Sequence, residues 1–209
     1  MIAELSGALL ASVYGCCTVF GKKTPLFYKI VFFAVLTCLM GNVYTLLYGL
    51  LWDQGDTGFH VGYIGTVGMF FFLYSSYYGA INSLADGRQP ELRRFRIAAG
   101  FVAAVFFFGS ALLMFFYGKA FWMVIVTVPM SFTVYFAMKH LIIPDVDMGI
   151  IQVMRPYNAV IVGLCVSMML RMISISGSVL GTVSSIIAGI LLAVCMPLAR
   201  NGVRKWFIL

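Results

Sequence analysis

Charge is what this chain has least of. Only 10% of its 209 residues are charged and 62% are hydrophobic. A soluble domain carries about 25% charged and about 45–50% apolar residues. That balance excludes a soluble globular domain, and the longest polar stretch, Asp86–Arg96, is too short to be one by itself. Acidic residues number seven, and none lies in the middle of an apolar run. Proton and cation pumps carry carboxylates at mid-depth, so that class is argued against. No lysine lies near the centre of an apolar run, which removes a retinal-type Schiff base. The two histidines, His60 and His140, fall at opposite membrane faces, which argues against a heptahelical zinc hydrolase. HExxH, GxSxG and phosphate-loop patterns are missing. Asp53, Asp56 and His60 share one loop, but one imidazole and two carboxylates are a weak metal signal. The chain is therefore read as non-enzymatic, with no catalytic residue, cofactor or metal. The five cysteines, Cys16, Cys17, Cys38, Cys165 and Cys195, all sit in apolar runs and form no CxxC. They are read as small apolar side chains.

What the sequence does contain is seven apolar runs, each about long enough for a hydrocarbon core of about 30 Å. They predict an all-α integral membrane protein: one heptahelical domain over 1–209. The predicted helices run from about 2–20, 26–52, 60–84, 97–117, 121–138, 149–175 and 179–199. Pro156 is an alternative start for the sixth. The short link Gly118-Lys119-Ala120 predicts an antiparallel hairpin. Pro129 predicts a kink at the middle of the fifth helix.

Orientation follows from the basic residues. With the N-terminus outside, twelve of the 14 basic residues fall inside: Lys22, Lys23, Lys29, Arg88, Arg93, Arg94, Arg96, Lys139, Arg155, Arg200, Arg204 and Lys205. Lys119 and Arg171 fall outside. The positive-inside rule predicts this asymmetry, and Trp52, Trp122 and Trp206 land at interfaces. The expected arrangement is N-terminus out, C-terminus cytoplasmic, in the cell membrane. The net charge of +7 is then a topology signal and a surface for anionic lipid at the inner face, with no implication of nucleic acid.

The third run, 60–84, is the most informative. Gly65, Gly68, Ser75, Gly79 and Ser83 share one stripe at 3.6 residues per turn, suited to close helix contact. Tyr63, Tyr74, Tyr78 and Asn82 share a second. Two readings apply to the second stripe: a ligand-lined cavity, or interhelical hydrogen bonds worth about 0.6 kcal/mol each. Asn42 with Tyr44 in the second run, and Ser131 beside Pro129 in the fifth, are candidate companions. The candidate ligand set is Asn42, Tyr44, Tyr74, Tyr78, Asn82 and Ser131, placed among helices 2, 3, 5 and 6. Candidate ionic contacts are Arg171 with Glu4 at one end, and Arg155 and Asn158 with Asp86 at the other. Arg171 also has a plainer reading, snorkelling to the surface. The segment 88–96, with Leu92 and Phe95 among arginines, is a candidate surface for a cytoplasmic partner or for anionic headgroups. These features lead to the expectation of a sensor or receptor-like subunit that binds a small amphipathic ligand. The alternatives are a small transporter of a neutral or amphipathic solute and, third, a membrane-embedded enzyme.

Overall fold

The computed structural model describes residues 2–21, 24–51, 61–81, 90–118, 121–144, 150–175 and 177–208. They form seven α-helices: α1 Ile2–Val19, α2 Leu26–Leu51, α3 Gly62–Ser76, α4 Arg93–Phe116, α5 Phe121–Ile142, α6 Ile150–Ile173 and α7 Val179–Ile208. A π-helical turn, Tyr77–Ile81, continues α3, and a 3-10 turn, Pro90–Leu92, leads into α4. No strand occurs among the described residues. Six helices are long and apolar enough to cross a membrane. The remaining one, α3, has 15 residues, and its π turn brings it to about 30 Å at about 1.5 Å per residue. The chain is an all-α, multi-pass membrane bundle.

Six helices close a ring in the order α1, α2, α3, α5, α6, α7, each touching the next. The fourth stands outside it, packed on α5 with slight contact to α6. Turns are where the sequence dictates most. Gly118 and Gly177 have φ of 62° and 79°, a left-handed conformation that glycine adopts without Cβ strain. They sit in the α4–α5 and α6–α7 links.

Small residues set the closest approaches. A methyl placed on Gly41 of α2 would lie 2.5 Å from the Gly62 carbonyl oxygen, and one on Gly65 would lie 2.6 Å from Gly41 Cα. Across α1 and α7, a methyl on Gly7 would overlap the Gly189 carbonyl. The small stripe of α3 is thus a packing face in its first half. Further along it is not, because Ser75 is exposed and Gly79 has open space beside it.

The two helices joined at Gly7 and Gly189 run parallel, since Arg200 Nη1 donates to Tyr14 OH (3.3 Å) further along the same pair. Ile2 is therefore level with about Ser184, and α7 begins roughly five residues, or about 7 Å, beyond the start of α1. One end of the ring is left recessed.

Several boundaries differ from expectation. The fourth helix begins at Arg93, because arginine is a good helix former and Leu92 is buried against Ile143 and Ile151, with Phe95 beside them. The fifth runs on to Ile142, so Lys139 and His140 are not loop residues: both are buried within it. The sixth, by contrast, starts at Ile150 as the 149–175 expectation has it, and the alternative start, Pro156, lies inside it. The expected tail after Ala199 is helical to Ile208. Apolar length marks where hydrocarbon ends, and a helix need not stop there.

Candidate functional site

Where α2, α3, α5 and α6 meet, the interior is filled. Val35, Cys38, Met69, Phe70, Leu73, Met130, Leu164 and Cys165 are buried there in one cluster. Concavities lie elsewhere, at the recessed end, on the flank beside α4 and at the Arg200 end.

The recess makes a vestibule of about 570 Å³, within the range of about 300–1,000 Å³ usual for small-molecule sites. Its apolar wall comes from Ile2, Met123, Met172, Ile175 and Ile186. Its polar groups are Tyr63, Thr66, Ser174, Thr182, Ser185 and Arg171. Arg171 Nη1 donates to Glu4 Oε2 and forms an ion pair with it, one of the two readings the sequence left open. Glu4 is fully buried, whereas the Arg171 side chain is 29% exposed. The other carboxylate oxygen, Oε1, has no protein hydrogen-bond partner. A guanidinium has five N–H donors, and here only one is recorded in a bond, to Glu4. The floor of the vestibule can thus receive a hydrogen-bond acceptor or an anionic group.

The second concavity is a groove of about 640 Å³ between α3 and α4, floored by α5. Tyr74, Tyr78 and Ser131 line it together with Phe107, Phe108, Phe132, Tyr135 and Phe136. It brings three of the six ligand candidates together, on a lipid-facing flank. Tyr78 is 63% exposed and stacks on Tyr74 at 5.9 Å. Ser131 is committed locally, donating to the Thr127 carbonyl (2.6 Å). Thr133 donates to the Pro129 carbonyl (2.8 Å).

The other candidates disperse. Asn42 is buried and its Nδ2 donates only to Cys38 Sγ (3.4 Å). Tyr44 is exposed and stacked on Tyr48 at 6.2 Å. Asn82 and Asp86 lie outside the described residues, as do Asp53, Asp56, His60 and 88–89 of the candidate partner segment. Arg155 Nη2 donates to the Ile143 carbonyl (3.3 Å). Arg93 and Arg94 are exposed, while Leu92 is taken up within the chain.

Asn158 enters a group that the sequence did not announce. Tyr77 OH donates to its Oδ1 (2.7 Å), with both residues buried. Tyr77 also stacks on Phe136 (6.2 Å) and His140 (5.6 Å) and tilts against Tyr157 (6.1 Å). Asn158 Nδ2 and Tyr157 OH are buried with no protein hydrogen-bond partner. This polar layer joins α3, α5 and α6 at the π turn, a feature frequent at functional positions. A signal was available: Met69, Leu73 and Tyr77 recur every four residues, as do Phe136 and His140. The vestibule's lining also had one, the recurrence of serine and threonine from Ser174 to Ser185.

Among the described residues no group of three metal-ligating side chains occurs. Searches of protein-family models, curated proteins and solved structures find no match to this chain.

Proposed function

We propose that the chain is a non-enzymatic, receptor-like subunit of the cell membrane that binds a small amphipathic ligand in the vestibule at the Glu4–Arg171 end. The ligand's acceptor or anionic group meets Arg171, and its apolar part lies against Ile2, Met123, Met172 and Ile186. The observation that carries this is the ion pair of buried Glu4 with Arg171, whose side chain lines a cavity of about 570 Å³. Below it, Met69, Phe70, Met130, Met168 and Leu192 are all buried in one packed cluster. A cavity backed by a packed core suits binding better than passage. Positive-inside counting places the vestibule on the outer face and the Arg200 end in the cytoplasm. A signal from the vestibule passes to another protein, with Arg93 and Arg94 as exposed contacts.

The transporter reading has one observation in its favour. Pro129, Pro156 and Pro197 interrupt α5, α6 and α7, and such helices bend most easily. The two readings separate in one experiment. Purified protein in nanodiscs is screened by thermal shift against a panel of small amphipathic carboxylates and amides. Thr182→Trp, which fills the vestibule from an exposed position, should abolish any shift that wild type shows. Any ligand found is then offered to proteoliposomes. A shift that survives Thr182→Trp removes the vestibule from the proposal, and saturable uptake replaces the receptor with a transporter.

A further inference from the structure

We infer that the groove between α1 and α7 at the Arg200 end is a binding site for the phosphate of an anionic phospholipid. A pocket of about 290 Å³ lies there, lined by Tyr14, Pro197, Arg200, Asn201, Arg204 and Lys205. Three of its six lining residues are cations. Among the described residues no carboxylate lines the pocket, and none pairs with those cations.

The site is built as well as charged. Arg200 and Arg204 are four residues apart on one helix, so they share a face. Tyr14 closes the pocket from α1. Its hydroxyl accepts from Arg200 Nη1 (3.3 Å), and the Arg200 guanidinium carbon lies 5.7 Å from its ring centroid. Arg200 is thereby held before a ligand arrives, which lowers the ordering cost of binding. A guanidinium suits phosphate because its N–H groups can donate in pairs.

Depth selects a lipid over a soluble anion. A hydrocarbon core of about 30 Å takes about 20 residues of helix. Counted from Val179, α7 leaves the core near Ala199. Arg200, Arg204 and Lys205 then stand in the headgroup layer, next to the phosphates of that leaflet. Deeper on the same two helices, Leu10, Val13, Ile190 and Val194 are exposed and offer apolar surface to the acyl chains. The inference does not depend on what the vestibule binds, nor on which leaflet this end faces.

The test is native mass spectrometry of the detergent-purified full chain, titrated with dioleoyl phosphatidylglycerol or with the zwitterionic dioleoyl phosphatidylcholine. Wild type should retain one phosphatidylglycerol in preference to phosphatidylcholine. Each basic residue near a membrane surface is worth about 1 kcal/mol toward anionic lipid, so Arg204→Gln/Lys205→Gln should weaken that binding by about 10- to 30-fold. Both side chains are exposed, and an unchanged melting temperature reads retention of the fold. Arg93→Gln/Arg94→Gln removes two exposed charges elsewhere and should leave the bound lipid in place. Unchanged affinity in the first variant overturns the site. An equal loss in the second shows only a diffuse field. Full displacement of the lipid by inorganic phosphate at about 10 mM would make it a soluble-anion pocket, since counter-ion screening alone acts on all exposed cations alike.

Discussion

Glu4 shows why a single carboxylate near a helix start can matter. It is one of two acidic side chains among the described residues, the other being exposed Glu91, and it is fully buried. An ion pair in low dielectric gains little over a neutral pair, yet losing one partner costs about 3–5 kcal/mol because the other charge is stranded. Arg171→Gln should therefore lower the melting temperature in detergent well beyond Glu4→Gln/Arg171→Gln. Equal losses would show that Glu4 left without Arg171 carries no stranding cost. A similar asymmetry applies to Tyr77. Removing its hydroxyl strands Asn158, which already has one unpartnered group. Tyr77→Phe should cost about 1–3 kcal/mol by the stranding argument. Tyr77→Phe/Asn158→Leu should recover part of it, measured by the same thermal melt. A double variant weaker than the single would mean that Asn158 has further partners.

Among the helices, glycine contacts separate packing from mere presence. Gly65→Ala presses a methyl against Gly41, and overpacking of this kind costs about 1–3 kcal/mol. Gly109 has nothing near it, so Gly109→Ala should be neutral or up to about 1 kcal/mol stabilising from helix propensity. Chemical-denaturant melts of the two variants check the contrast, and equal effects would deny the close α2–α3 approach. The first half of the glycine stripe was legible in the sequence, as were the seven helices and the hairpin at Gly118, because each follows from local composition. Less legible was the inward face of α3. It is formed by Met69, Phe70, Leu73, Ser76 and Tyr77, while the more polar Tyr74 and Tyr78 border the lipid-facing groove. Polarity alone misleads here, since tyrosine keeps an apolar body with a polar tip and tolerates such borders. The shape of the vestibule was not legible. It arises from the axial offset of α1 against α7, which the Gly7–Gly189 crossing sets and no local pattern records.

For the whole molecule, topology is the property most open to direct test. With the N-terminus outside, Ile2→Cys should react with a membrane-impermeant maleimide on intact cells, and Lys205→Cys only after permeabilisation. The reverse pattern would invert the bundle and move the vestibule to the cytoplasm. Length adds a second consequence. At 30 residues α7 is the longest helix described, about 45 Å at about 1.5 Å per residue. Its last turns, beyond Pro197, continue the same helix whose first turns wall the vestibule. A reporter fused behind it would inherit its angular phase: each inserted alanine turns the cargo by about 100°. If ligand binding twists or tilts that helix, the response of such fusions should rise and fall with a period of about 3.6 residues. A response that simply decays with spacer length would mean that the helix transmits no orientation.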